Sequence, residues 1–150
     1  MAPDEGAALK LRAEDAEDLA VISACLQDAL VAVRDLAYAP EERSFLFVAN
    51  RFRWESGLGP APGEVPYERV LCGITFSAVA AASYSGFRRS DDGRILSLLA
   101  IRPEDGAVQL EFSSGAAIRL EVSRIICHAG DLGDPWPTPW RPCHDLDEAS

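Results

Sequence analysis

The densest chemistry in the chain lies in six consecutive residues, Asn50-Arg51-Phe52-Arg53-Trp54-Glu55. On a strand, Arg51, Arg53 and Glu55 share one side, and Asn50, Phe52 and Trp54 the other. Two guanidiniums about 7 Å apart along one face can grip a carboxylate or phosphate in paired fashion. A neighbouring Trp is a frequent interface anchor. The candidate binding residues are therefore Asn50, Arg51, Arg53, Trp54 and Glu55, joined by Trp136 from the far end of the chain. Their ligand would be a small anion or a protein surface. A structural reading uses the same residues. Arg51 and Arg53 pair with Glu55 or Glu68 across a hairpin, and Phe52 and Trp54 seal the core. Most arginines on strands are solvated or paired, which favours this second reading.

Other constellations are weaker. Cys127-His128 and Cys143-His144 supply four potential zinc ligands. Adjacent strand residues point to opposite faces, however, and the Cys-x₂₋₄-Cys knuckles of structural zinc sites are missing. No metal or cofactor is expected. The chain has no Gly-x-Ser-x-Gly elbow and no phosphate-binding glycine loop. The paired acids Asp91-Asp92 and Glu104-Asp105 sit at turns, where solvated charge is the ordinary explanation. The rival functional reading is a small hydrolase or metal-dependent enzyme that uses His128 or His144 with a nearby cysteine.

These residues must be held by a fold of 150 residues, one domain's worth, with enough chain to bury a core without covalent staples. A composition of 48% apolar and 25% charged residues is globular. The longest mostly apolar run, Val70 to Ala82, is too short to cross a bilayer as a helix. The acidic start, Met1-Ala2-Pro3-Asp4-Glu5, lacks the features of a secretory signal, so a cytoplasmic location is the default expectation. A net charge of −10 argues against a nucleic-acid face and against anionic membranes. In a reducing compartment Cys25, Cys72, Cys127 and Cys143 are expected to be free thiols.

In chain order, residues 1–8 are expected to be flexible, and Leu9-Lys10-Leu11 alternates as a short edge strand. The helical region is 13–29. Asp15 is its N-cap, and Leu19, Ile22, Leu26 and Ala29 fall at helical spacing, placing the helix from about Ala16 to Gln27. Residues 30–132 are antiparallel strands. Leu30, Ala32, Leu36 and Tyr38 line one face of a strand ending at Pro40. Ser44 to Trp54 is a second strand with apolar residues on both faces, each needing a cover. Tyr67 to Phe76, Val79 to Tyr84, Leu96 to Ile101, Val108 to Phe112, Ile118 to Val122 and Ile125 to Ala129 follow, with a tight hairpin at Ser113-Ser114-Gly115. Gly57 to Gly63 is a loop. Residues 133–150 are an extended Pro/Trp-rich tail that cannot join a sheet interior; Trp136 and Trp140 dock on the domain itself or on a partner's groove.

Setting Pro40-Glu41 on Pro103-Glu104 aligns Leu36 with Leu99, Tyr38 with Ile101, Phe45 with Val108 and Phe47 with Leu110. Ile74 to Val79 similarly resembles Leu120 to Ile125. The expected fold is α+β: an N-terminal helix on a small antiparallel β-barrel, or a strongly bent sheet, of about seven strands with two pseudo-symmetric repeats. The repeats differ most between Asn50 and Arg69, which points to the arm after Asn50 as the contact surface.

The segments Leu19 to Ala29, Asp35 to Pro40, Asn50 to Glu55, Leu96 to Ile101, Ile118 to Val122, Asp131-Leu132-Gly133 and Pro135-Trp136, with Pro142 and His144, resemble an uncharacterised, mainly alphaproteobacterial family called domain of unknown function 2948. Cys25 stands where that resemblance leads one to expect His, which weakens a ligand role there. The resemblance implies a small cytoplasmic bacterial protein and supplies no mechanism. The functional expectation is a non-enzymatic binding or accessory module, as a monomer or a homodimer.

Overall fold

The computed structural model describes residues 9–52, 67–91 and 93–138, with Tyr67, Glu68 and 134–138 described by backbone alone. Expectations for residues 1–8, the Gly57 to Gly63 loop, Arg53 to Glu55 and the chain after Thr138 lie outside them. The strands are β1 (Lys10–Ala13), β2 (Leu30–Ala32), β3 (Ala37–Ala39), β4 (Ser44–Phe52), β5 (Tyr67–Phe76), β6 (Val79–Ser85), β7 (Ile95–Glu104), β8 (Ala107–Phe112), β9 (Ala117–Val122) and β10 (Cys127–Thr138). One helix, α1 (Ala16–Cys25), follows β1.

All pairings are antiparallel, in the order β1-β10-β5-β4-β2-β7-β8-β9-β6, with β3 also on β4. This corrects the expected barrel of about seven strands. Among the described residues the sheet has ten strands, and its ends β1 and β6 do not pair with each other, so it does not close. Instead it curls over one apolar face. Phe45 and Phe47 of β4, Ile74 and Phe76 of β5, Leu96 and Leu98 of β7, Leu110 of β8, and Ile118 and Leu120 of β9 join one buried cluster. Far strands meet across this core: Tyr84 of β6 lies 6.4 Å from Phe45 between ring centroids.

The helix covers part of this face with Leu19, Ile22 and Leu26. Asp15 caps it, accepting the Asp18 N–H at 2.8 Å, as the Asp-x-x-Asp spacing predicts. Its end is sewn to β7: the Asp28 N–H donates to the Leu98 carbonyl at 2.7 Å, and the Leu98 N–H to that of Ala29 at 2.8 Å. Asp28 itself has φ 67°, a turn conformation that stops the helix short of the expected Gln27.

Three strand expectations need correction. The run Leu30 to Tyr38 breaks at a 3₁₀ turn, Val33–Asp35. Val33 and Leu36 are both buried, and a spacing of three puts both inward only on a helical turn. The inward residue of β2 is consequently Val31, with Leu30 facing out. On β4 the even-numbered face is covered at one end only: Phe52 is buried, but Leu46 is exposed. The stretch after Gly133 does join the sheet: β10 continues to Thr138 along β5, after a register shift between Leu132 and Trp136. Among the described residues β1 pairs with β10 only as far as Gly130, so the later residues, prolines included, have no described strand on that side, where a missing N–H is tolerated.

The aligned segments take related places, with β4 beside β5 and β8 beside β9. Their hairpin registers differ, however. Tyr38 faces Phe45, whereas Ile101 faces Leu110 and not Val108. The first hairpin turns through a 3₁₀ segment at Pro40, and the second through Asp105-Gly106 after Pro103 has already paired with Val108.

One glycine is fixed by close approach. Gly86 has φ +78°, and a Cβ there would lie 2.5 Å from the Gly115 carbonyl oxygen; Gly106 has φ +72° but faces open space. Gly106→Ala is expected to cost about 1 kcal/mol from backbone conformation alone. Gly86→Ala must also displace backbone and is expected to cost about 2–3 kcal/mol. Urea denaturation of the two variants checks the ranking.

Candidate functional site

Alternation along β4 places Arg51 on the same face as Phe45, Phe47 and Ala49, which is the core face. β5 runs beside it with Cys72 opposite Ala49 and Val70 opposite Arg51. On the far side of β5, Asp131 of β10 stands opposite Cys72. Arg51 therefore reaches diagonally across β5. Its Nε donates to Asp131 Oδ1 and its Nη2 to Oδ2, each at 2.8 Å. The side chains are 0% and 3% exposed.

The Asp131 carboxylate also accepts the Leu9 N–H at 2.8 Å, and the Asp131 N–H donates to the Leu9 carbonyl at 2.9 Å. One aspartate thus ties β4, across β5, to β10 and to the chain entering β1. Burying two charges is costly unless geometry is good and the remaining lone pairs are used, and here both conditions hold. Among the described residues, no buried side-chain nitrogen or oxygen lacks a partner. The carboxylate holding Arg51 is thus Asp131, where the sequence reading named Glu55 or Glu68. Of those two, Glu55 lies outside the described residues and Glu68 is described by backbone alone. The signal for Asp131 was present in the sequence. An arginine in phase with Phe45 and Phe47 must be buried, and Asp131 is in phase with Cys127 and Ala129.

Beside this pair the Cys72 thiol is pushed up to about 12, first by burial and then by the Asp131 carboxylate, with Arg51 opposing. Burial pushes Cys127 up to about 12 as well, with Cys72 adding to it. Neither is a nucleophile near neutral pH. His128 sits on the opposite face of β10 from Cys127, exposed and across from Arg12 and Thr75. Among the described residues, no three His, Cys, Asp or Glu side chains converge as a metal site, and no helix is long and apolar enough to cross a membrane.

The outer face of β2, β4, β5 and β10 has a different character. Leu30, Asn50, Leu71 and Leu132 form one rung across these four strands. The three leucines are 39%, 41% and 49% exposed. Gly73 and Gly130 pair on the next rung, and Leu132 leans over Gly73, where a Cβ would meet Leu132 Cδ1 at 3.3 Å. Asn50 is engaged by Arg69, whose Nε donates to Asn50 Oδ1 at 2.7 Å and whose Nη2 donates to the Asn50 carbonyl at 3.3 Å. Burial holds the Arg69 pKa below its ordinary value, against the through-space pull of Asp28. The predicted residues therefore part company. Asn50 belongs to the outer face and Arg51 to the core. Trp136 is placed by backbone opposite Arg69. Arg53, Trp54, Glu55 and His144 lie outside the described residues. Leu30, Leu71, Leu132 and Arg69 were not singled out in the sequence, where they read as ordinary strand residues.

Two measurements check this division. Arg51→Met alone, or Asp131→Leu alone, is expected to cost about 3–5 kcal/mol by stranding a buried charge, and the double variant to recover most of that loss. Chemical denaturation of the three variants reads it directly. The folded protein keeps both buried thiols protonated up to about 12, against 9.0 for a free thiol. Unfolding between those values releases protons, so the contribution present below pH 9 is lost as pH rises towards 12. Wild type should lose more stability over that range than Cys72→Ala/Cys127→Ala, measured as the fall in urea midpoint.

A family model described as a protein of unknown function (DUF2948) matches residues 9–144, and the chain belongs to that family. No curated protein and no solved structure matches it.

Proposed function

We propose that this DUF2948 chain is a non-enzymatic binding module that docks a protein partner on the outer face of β10, β5, β4 and β2. The observation that carries the reading is the rung of exposed leucines at 30, 71 and 132. Scattered exposed leucines are ordinary, but Leu71 and Leu132 are paired on adjacent strands and Leu30 shares their rung beyond Asn50, an apolar surface with one amide set into it, of the kind that interaction sites use. Asn50, the one predicted site residue whose described side chain faces this surface, stands between Leu30 and Leu71. The rigid scaffold beneath, pinned by Arg51 and Asp131, holds the surface in a fixed shape and so limits the ordering cost of binding. The buried thiols and the exposed, outward-facing His128 offer no comparable support for hydrolysis.

A photo-crosslinking amino acid at position 71, compared with one at the exposed position 121 on the other half of the sheet, tests the reading in cells. Discrete adducts are expected from position 71, absent from 121 and lost in a Leu132→Asp background. An adduct of twice the chain mass would make the partner a second copy. Equal adducts from both positions, or indifference to Leu132→Asp, would remove the proposal.

A further inference from the structure

We infer that the partner segment seated on this face is an acidic amphipathic peptide, whose apolar side chains cover Leu71 and Leu132 while a carboxylate engages Arg69. This deepens the proposed function and rests on it. The argument is charge complementarity at the rim of the leucine rung. Arg69 lies one outward step along β5 from Leu71 and is half-buried. Its hydrogen bonds go to the two oxygens of Asn50, both uncharged acceptors. Asp28 acts on it through space, without a hydrogen bond, and burial outweighs that help. A partly desolvated cation whose described hydrogen bonds all go to amide oxygens gains most from an incoming carboxylate, because charge-assisted bonds are the strong ones.

The rest of the rim has the same sign. Lys10 is opposite Gly130 and Arg12 opposite His128, all on the outer face of β1 and β10. Among the described side chains, the carboxylates nearest this face are Glu14, which engages Arg12, and Asp28, which is buried. In a chain with 24 acidic and 14 basic residues, the described cations at the edge of this apolar surface are Arg69, Lys10 and the ion-paired Arg12. Its long-range field, set by a net charge of −10, repels acidic peptides and attracts basic ones. A preference for an acidic peptide must then come from the local arrangement.

The test uses three synthetic amphipathic peptides of equal length with identical leucine faces and Glu, Gln or Lys on the polar face. Binding to the whole chain is followed by fluorescence anisotropy at physiological salt. The Glu peptide is expected to bind about tenfold tighter than the other two. Arg69→Gln should reduce that preference to less than twofold, while Arg69→Lys keeps part of it, and circular dichroism confirms that both variants fold. Leu71→Asp should weaken all three peptides together. If Gln and Glu peptides bind equally, or the Lys peptide binds tightest, and Leu71→Asp still weakens them, the inference falls while the docking surface stands. If none of the three binds, or Leu71→Asp changes nothing, both fall.

Discussion

Everything on one side of this molecule depends on a single buried ion pair. Arg51 and Asp131 are separated by 80 positions in sequence and by one strand in space, and their bidentate contact passes over Cys72. A charge buried in that position is tolerable only with its partner in place. The pair therefore specifies register as well as stability. Sliding β10 by one residue along β5 would turn Asp131 to the solvent face and leave Arg51 stranded in the core. The same carboxylate accepts the Leu9 N–H, so the short edge strand β1 is aligned by the bond that aligns the interior strands. A four-residue edge strand has few backbone bonds of its own, which makes a charged anchor at its start consequential.

The arrangement divides two arginines that sit in neighbouring positions of the same region. Arg51 is consumed by structure. Arg69 stands on the other side of the sheet, next to an apolar rung, with its described hydrogen bonds given to the two oxygens of Asn50. The sheet therefore separates an internal pin, Arg51 of the Asn50 to Glu55 cluster, from an external contact, Arg69, that lay outside that cluster. Depressed thiol pKa values mark reactive cysteines, and those of Cys72 and Cys127 move the opposite way, so the interior reads as scaffold.

Much of the fold was legible because it follows from local rules. Alternation marked the strands from Ser44, Tyr67 and Val108 that carry the buried Phe45, Phe47, Cys72, Ile74 and Leu110; Asp15 marked the helix start; Ser113-Ser114-Gly115 marked a hairpin, with Ser114 taking φ 62°. Errors arose where a tertiary contact overrode a local signal. The break at Val33–Asp35 follows from burying two residues three apart, and it reversed the expected face of Leu30. Pro135 and Pro137 extend β10 beyond the expected end of the strands at residue 132, along β5 and past the last described β1 partner, so they stay out of a described sheet interior. Sheet closure depends on how far each strand bends, which no local pattern encodes. The partner of Arg51 was accessible in principle from phase alone, but only once Arg51 was recognised as sharing the inward face of β4. The leucine rung was not accessible, since its register depends on three strand pairings at once.

Amide hydrogen exchange on wild type and Asp131→Asn tests the central dependence most directly. Loss of the carboxylate should selectively strip protection from the 9–13 and 127–131 segments and from the β5 amides beside Cys72, leaving β7, β8 and β9 close to wild type. Unchanged protection at 9–13, or an equal loss across both halves of the sheet, would contradict the claim that this pair holds the first half together.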